Sequence, residues 1–279
     1  MQATWARSSA STSAAEAFRN IRGRTGTGSC IWAARRWPRR SCTIISPAEN
    51  IIVISTGPLT GTGAPSSSRF NISTLSPQTG ITTSSNCGGN FGHYLKKAGY
   101  DALIIAGKCE KLTWVEIHND IIKFHDAEEL KGLCTTPTQE SIQQKLDEER
   151  GCEVKCGKVV IGPAGENLVK YASVFSNERA AGRAGVGCVF GSKNLKGIAV
   201  SGTHEVSIYD PQKTHKLFEK WVETLKKHPL TGNQLPKMGT AGLVTTMQMR
   251  GLLPTRNYAK GQFEDFELVN GETFAEDIN

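Results

Sequence analysis

Short apolar runs, separated by glycine-rich or polar turns, follow one another through residues 47–207 of the chain. Runs of this kind, rich in Ile, Val and Leu, are typical of strands. Six such strands are predicted, at Asn50–Ser55, Arg69–Leu75, Asp101–Gly107, Lys158–Ile161, Val169–Val174 and Gly197–Ser201. Two further runs, Leu112–His118 and Ile121–Asp126, flank Asn119-Asp120 and predict a β-hairpin.

A single long helix is predicted within this region, at Thr136–Arg150. Thr136 can cap the helix and Pro137 suits its first position. Gln139 would complete a capping box with Thr136. Short strands with one or two helices indicate an α+β domain that ends near residue 207.

The pattern becomes helical after Asp210-Pro211. Asp210 can cap a helix in which Leu217, Trp221 and Leu225 recur at intervals of four residues. A second helix is predicted at Thr240–Arg250. We therefore expect an α+β domain over residues 47–207, followed by the start of an all-helical domain over residues 208–279.

Glycine is concentrated in two clusters that resemble each other, with nine glycines in residues 55–107 and nine in residues 157–202. Each cluster has an arginine (Arg69 or Arg183), a glycine turn, Phe-Gly, Leu-Lys and then an apolar run. A duplicated half-domain with pseudo-two-fold symmetry would explain the similarity. The glycines either serve tight turns alone, or let two backbone arms, each with an arginine, bind two anionic groups.

The net charge of +7, from 33 Lys+Arg against 26 Asp+Glu, belongs to the beginning of the chain. Residues 1–46 contain eight arginines, no lysine and one acidic residue, and the remaining residues sum to zero. A nucleic-acid partner is therefore not predicted. We interpret residues 1–46 as an aberrant Arg-rich segment, frameshifted or disordered, with a transit peptide as the alternative. No apolar run approaches the roughly 18 residues of a membrane span, so no membrane partner is predicted.

Motifs of common catalytic and nucleotide sites are absent from the sequence. The run from Gly185 to Gly191 departs from the dinucleotide fingerprint, and Gly191-Ser192-Lys193 is not a P-loop. Cys152-x-x-x-Cys156 is the one close cysteine pair and cannot complete a four-ligand metal site, and the six histidines form no metal-ligand pattern. We predict no catalytic residue and no metal ligand, and expect free thiols in a reducing, cytoplasmic compartment.

A set of motifs occurs in a characteristic order from residue 46 onward. They are Ser46-Pro47-Ala48-Glu49-Asn50, Thr56-Gly57-Pro58-Leu59-Thr60-Gly61-Thr62, Ser76-Pro77-Gln78-Thr79-Gly80, Asn86-Cys87-Gly88-Gly89-Asn90-Phe91-Gly92, Ile161-Gly162-Pro163-Ala164-Gly165-Glu166-Asn167, Arg179-Ala180-Ala181-Gly182-Arg183-Ala184-Gly185-Val186-Gly187 and Gly191-Ser192-Lys193-Asn194-Leu195-Lys196. With them, residues 46–279 resemble the aldehyde ferredoxin oxidoreductase family, whose enzymes depend on tungsten or molybdenum.

The resemblance implies a bis-pterin cofactor, whose two dithiolenes hold the metal and whose phosphates are linked through magnesium. The family's pterin contacts carry over onto seven positions in the two glycine clusters. These positions are Arg69, Asn86, Gly88, Arg183, Ala184, Gly185 and Gly187.

The resemblance also implies an oxidoreductase that converts aldehydes to carboxylic acids and passes electrons to ferredoxin. Family members continue beyond position 279 into helical domains with the cysteine ligands of a [4Fe–4S] cluster, so we expect this chain to be truncated before them and inactive alone. Two alternatives stay open: a non-catalytic pterin- or anion-binding module, and a family member that acts on an aromatic acyl thioester. Family members often dimerise, which leaves a homodimer open as well.

Overall fold

Two six-stranded sheets form the framework of the first part of the chain. The computed structural model describes residues 2–6, 30–34 and 50–278, and its contacts divide it into two units, Met1–Ser207 and Ile208–Asn279. The strands are β1 (Gln2–Ala6), β2 (Cys30–Ala34), β3 (Ile52–Thr56), β4 (Phe70–Leu75), β5 (Thr82–Cys87), β6 (Ala102–Ala106), β7 (Thr113–His118), β8 (Ile121–Asp126), β9 (Gly157–Val160), β10 (Val174–Ser176), β11 (Arg179–Ala181) and β12 (Leu195–Ser201). The helices of the first unit are α1 (Phe91–Lys97), α2 (Thr135–Arg150), α3 (Pro163–Glu166) and α4 (Val186–Ser192).

The two sheets repeat one arrangement of strands. The first has the order β1-β2-β6-β3-β4-β5 and the second the order β11-β10-β9-β12-β7-β8. In each, three consecutive strands and a seven-residue helix precede a fourth strand that pairs beside the first of the three. All pairs within β6-β3-β4-β5 and within β12-β9-β10-β11 are antiparallel. The predicted α+β fold with a duplicated half-domain is therefore confirmed.

The two arginines that suggested the duplication do not occupy equivalent places in it. Arg69 comes directly before β4, whereas Arg183 comes after β11, the counterpart of β5. The similarity of the clusters therefore resides in the helix and the strand that follows it. Because the two arginines lie at different points of the repeat, the number of residues from each arginine to the following Phe-Gly differs between the clusters.

One continuous core joins the two sheets. The alternating side chains of β4 are buried and half-buried in turn, as expected for a strand with one face on a core. Ile54 and Ile72 of the first sheet belong to the same buried cluster as Val159 and Ile198 of the second. Each such side chain contributes about 1.5–3 kcal/mol by its removal from water. The shared core fixes the sheets relative to each other and thereby fixes the turns at their ends.

The helix α2 begins at Thr135 and not at Thr136, and the predicted capping box does not form. Its N-cap residue is Cys134, whose carbonyl accepts a hydrogen bond from Thr138 Oγ1 at 2.8 Å. Gln139 is used elsewhere, against the backbone of Asn177. Gln139 thus pairs with Asn177, which is distant in sequence, and not with Thr136 as the capping-box pattern predicted.

Two other predictions about elements were wrong. Only Val174 of the predicted strand Val169–Val174 is in a strand, because Leu168 takes a positive φ of 57° and a turn joins Val169 to Ala172. No strand was predicted in residues 1–46, yet β1 and β2 lie there, and β2 pairs with β6. The interpretation of that segment as frameshifted or disordered mostly concerns residues outside those described, and it stays a prediction.

The second unit is helical, with α5 (Pro211–Lys227), α6 (Leu235–Met238), α7 (Val244–Met249) and α8 (Gly271–Ile278). The Asp210 side chain caps α5 by accepting the Lys213 N–H at 2.9 Å, as predicted. The helix predicted at Thr240–Arg250 is divided into a 3₁₀ segment, Gly239–Leu243, and α7. Within the described ranges, no helix has the length and apolar character needed to cross a membrane.

A buried carboxylate holds the end of α2 against the hairpin of β7 and β8. Glu116 is 2% exposed and accepts hydrogen bonds from Arg150 Nη2 at 2.7 Å and pairs with His125 Nε2 at 3.1 Å. The hydrogen bond from His125, together with the guanidinium of Arg150, lowers the pKa of Glu116 to about 2, against the effect of burial. The ionised carboxylate is therefore stabilised in the folded state.

We expect Glu116→Gln to destabilise the first unit by about 2 kcal/mol at pH 7, because hydrogen bonds to a charged group are lost. The pKa of Glu116 is depressed on folding, so its contribution is present above pH 4.5 and is lost as the pH falls towards 2. Urea unfolding at several pH values measures this, with Glu110→Gln at an exposed carboxylate as the control. A difference between Glu116→Gln and the wild type that is the same at pH 3 and pH 7 would contradict the assignment.

Candidate functional site

A cleft of about 720 Å³ opens at the first glycine turn. Three of the predicted contacts, Arg69, Asn86 and Gly88, line it together with Arg179. Arg69 directly precedes β4, and Asn86 lies near the end of the neighbouring β5. The antiparallel pairing of these strands, in which Phe70 is opposite Cys87, brings the two ends together.

The alternation of side chains along β5 directs Asn86 into the cleft. Ser85 and Cys87 are buried, whereas Asn86 between them is exposed. Asn86 Oδ1 accepts a hydrogen bond from Nδ2 of Asn71, its cross-strand neighbour, at 3.1 Å. Asn71 is itself oriented by Ser73, whose hydroxyl donates to its Oδ1 at 2.7 Å. This contact orients the Asn86 amide, and no hydrogen bond from its Nδ2 to another described residue competes with a ligand.

Close packing of the backbone explains the glycines of this turn. Gly89 has a φ of +87°, and a Cβ there would lie 2.8 Å from the Ser176 carbonyl oxygen. A Cβ on Gly88 would lie 3.3 Å from Cγ of Arg179. A bare main chain is therefore required at Gly89, and the turn exposes backbone atoms beside the two arginines of the cleft.

Arg179 is the site residue that the sequence analysis missed. It is the first residue of β11, and both it and Ala180 line the cleft. The charges of Arg69 and Arg179 both act on the Cys87 thiol, lowering its pKa, although burial outweighs them and raises that pKa to about 11. Both arginines therefore lie near Cys87, and both line the same cleft. The run Arg179-Ala180-Ala181-Gly182-Arg183 contains two arginines, and the sequence analysis chose only the second of them.

The second predicted cluster lies next to the first but does not line this cleft. The backbone N–H of Arg183 donates to Ser85 Oγ at 3.1 Å, which joins the second arm to β5. The Arg183 side chain is exposed, and the following Ala184 has a φ of +67°. The structure therefore brings together Arg69, Asn86 and Gly88, and places Arg183 and Ala184 beyond them.

Gly185 and Gly187 have a packing role that is visible without any ligand. A Cβ on Gly185, whose φ is +71°, would overlap the carbonyl oxygen of Lys170. A Cβ on Gly187 would similarly overlap the carbonyl oxygen of Ser173, and the Gly187 N–H donates to Ala172 at 2.9 Å. Both glycines are buried. Their predicted contact with the cofactor stays a prediction.

A second cleft of about 840 Å³ continues from the first and shares Gly89, Asn90, Glu178 and Arg179 with it. Its other wall is the polar face of α2, which includes Gln139 and several carboxylates. Arg179 thus stands at the border between a cationic cleft and an amide- and carboxylate-lined one.

The chemistry of the first cleft fits an anionic ligand with hydrogen-bond acceptors. Two arginines offer forked donors for phosphate oxygens, and the Asn86 amide adds a neutral donor. Glycine turns provide the close approach of main chain that such ligands use. Glu178 is the one acidic residue among those that line it. Within the described part of the chain, the groups here suit a phosphate-bearing cofactor.

A separate group of potential metal ligands is already neutralised by its own neighbours. Glu116, His125 and Glu149 offer ligand atoms that all lie within 4.8 Å of one another. Arg150 and Lys123 form ion pairs with these carboxylates. In the part of the chain that the structure describes, this is the one such group, and its cations compete with any metal.

Comparisons with known proteins place the chain beside one group of enzymes. The family model "Aldehyde ferredoxin oxidoreductase, N-terminal domain" matches residues 5–202, and that for "domains 2 & 3" of the same enzyme matches residues 216–279. The first match begins inside the Arg-rich segment.

Two curated relatives are named tungsten-containing aldehyde ferredoxin oxidoreductase. The protein from Thermococcus kodakarensis is 44% identical over 80% of this chain and 36% of its own length. The protein from Pyrococcus furiosus is 44% identical over 83% of this chain and 37% of its own. The chain thus spans little more than a third of these relatives. A solved structure, the active site complex BamBC of benzoyl coenzyme A reductase with 1,5-dienoyl-CoA, is 29% identical with a TM-score of 0.65, over 82% of this chain and 36% of the other.

Proposed function

Because the chain belongs to the aldehyde ferredoxin oxidoreductase family, we propose that its first unit holds part of a tungsten bis-pterin cofactor. The complete enzyme would oxidise aldehydes to carboxylic acids and pass the electrons to ferredoxin. The names of the two curated relatives favour tungsten over molybdenum. The proposal includes a cytoplasmic location, a magnesium ion between the cofactor's phosphates and, outside this chain, a [4Fe–4S] cluster.

The observation that carries the proposal is the convergence of Arg69 and Arg179 on one cleft beside a bare glycine turn. Here the guanidinium groups would bind phosphate oxygens, and the Asn86 amide would donate to an acceptor of the pterin. When bound, the cofactor supplies the two-electron chemistry of aldehyde oxidation, and the protein supplies binding, orientation and electrostatics. No described residue of this chain is assigned a proton-transfer role.

The second arm would bind the other half of the cofactor. We propose that the exposed guanidinium of Arg183 makes an ionic contact there and that Ala184 and Gly185 contribute through their backbone. Gly187 would act by permitting the close packing of α4 beneath the arm. The hydrogen bond from Arg183 to Ser85 supports this, because it holds the two arms side by side.

The identities also bear on the substrate class. The aromatic acyl-thioester alternative has support in the benzoyl coenzyme A reductase complex, at 29% identity. The aldehyde-oxidising relatives are more similar, at 44% identity. We therefore propose an aldehyde as the substrate.

The proposal is tested by the cofactor content of the purified chain, after expression in a host supplied with tungstate. Metal analysis and the fluorescence of oxidised pterin should both be positive for the wild type. Both should be strongly reduced when Arg69 and Arg179 are replaced by alanine.

The substrate is tested in a chimera of the Thermococcus relative that carries residues 50–207 of this chain. Aldehyde-dependent reduction of benzyl viologen is expected, whereas a chimera with full cofactor and no such activity would reject the aldehyde.

A further inference from the structure

Gln139 is a nearly buried polar side chain, 7% exposed, on the first turns of α2. Its Oε1 accepts the N–H of Asn177 at 2.7 Å, and its Nε2 donates to the carbonyl oxygen of the same residue at 3.2 Å. Nε2 also donates to the Thr135 carbonyl at 3.3 Å. The side-chain amide therefore pairs with one residue's backbone in the way that a neighbouring strand would.

Asn177 occupies the turn between β10 and β11, where its φ is +53°. Asparagine tolerates this left-handed conformation better than most residues. Its side-chain Oδ1 accepts the N–H of Asn90 at 3.3 Å. A series of hydrogen bonds thus connects α2, through Asn177, to the first glycine turn.

The two turns joined in this way form both walls of the first cleft. Gly88 and Asn90 line one wall, and Arg179, two residues after Asn177, lines the other. The walls are in close contact, since a Cβ on Gly89 would lie 2.8 Å from the Ser176 carbonyl oxygen. Any movement of Asn177 would therefore change the position of Arg179 relative to the glycine turn.

We propose that Gln139 is a positioning residue of the cofactor cleft, which sets the distance between Arg179 and the first glycine turn through Asn177. This inference rests on the proposed function, because it takes the cleft to be an anion site. In this role Gln139 affects ligand binding indirectly, through Asn177, and does not itself contact the ligand.

The test is a calorimetric titration of the full chain with pyrophosphate, for the wild type and for Gln139→Met. The variant has a side chain of similar size without the three hydrogen bonds of the Gln139 amide, and we expect its affinity for pyrophosphate to fall about tenfold. Hydrogen exchange should become faster at Asn90 and Asn177 and stay unchanged in β9. Gln144→Met is the matched control, since Gln144 lies on the same helix and pairs with Glu148 alone among the hydrogen bonds described for it.

Asn177→Gly provides a second variant that keeps the turn conformation and removes only the bond to Asn90. It should also weaken pyrophosphate binding, with faster exchange at Asn90. Unchanged affinity in both variants, or a loss accompanied by faster exchange throughout β9, would overturn the positioning role. If the wild type itself binds no pyrophosphate, the proposed cofactor cleft fails, and this inference fails with it.

Discussion

Replacing Arg69 or Arg179 with alanine is expected to weaken pyrophosphate binding to the full chain by roughly 10- to 150-fold. Each change removes a charge-assisted hydrogen-bonding group worth about 1.5–3 kcal/mol. Both side chains line the same cleft and act on the same buried thiol, Cys87. The effect of the double variant should therefore be smaller than the product of the single effects, because groups that share a ligand are coupled.

The control for these variants is Arg250→Ala, at an exposed arginine in the second unit. It should leave pyrophosphate affinity unchanged, and unfolding in urea should show that all three variants retain the stability of the wild type within about 0.5 kcal/mol. Calorimetric titration at two salt concentrations separates specific binding from screened attraction. If the wild type, Arg69→Ala and Arg179→Ala bind pyrophosphate with equal affinity, these arginines do not form an anion-binding site.

Replacing Gly185 with alanine is expected to destabilise the first unit by about 4 kcal/mol, the largest stability effect that we predict. The added Cβ would overlap the Lys170 carbonyl oxygen and approach Cγ of Pro77 to 3.0 Å. The positive φ of +71° adds the strain of a left-handed alanine. The segment from Lys170 to Ser173 would have to move away from α4.

Urea unfolding measures this loss of stability, and Gly63→Ala is the matched control. Gly63 also has a positive φ, of +83°, but nothing lies within 4 Å of a Cβ placed there. It should therefore show only the conformational cost, about 1–2 kcal/mol. If Gly185→Ala is no less stable than Gly63→Ala, the close packing of α4 on this segment is wrong.

Strands with strong apolar alternation were predictable from the sequence, and strands without it were not. Both strands of the β7–β8 hairpin lie within a residue of their predicted limits. Strand β5, with the sequence TTSSNC, has no such signal, because it is an edge strand in which only Ser85 and Cys87 are buried. It supplies Asn86 nevertheless. Asn86 was predicted from the resemblance of its motif to the family, since the hydrophobic pattern gives no signal at this strand.

Site residues were predicted only where the resemblance to the family carried them over, because the hydrophobic pattern does not show which side chains reach the cleft. Arg69 and Gly88 were found in this way, whereas in the second cluster Arg183 was named and Arg179, which lines the cleft, was not. Only the pairing of β10 with β11 shows which arginine reaches the cleft. Gln139 was assigned to a helix cap because its true partner, Asn177, is 38 residues away.

The most direct test of the account is nuclear magnetic resonance of the ¹⁵N-labelled chain during titration with pyrophosphate. We predict that the side-chain Nε–Hε signals of Arg69 and Arg179 and the amide signals of Gly88 and Gly89 shift together, with one saturation curve. Shifts confined to other lysines and arginines, with these four signals unmoved at saturation, would contradict it.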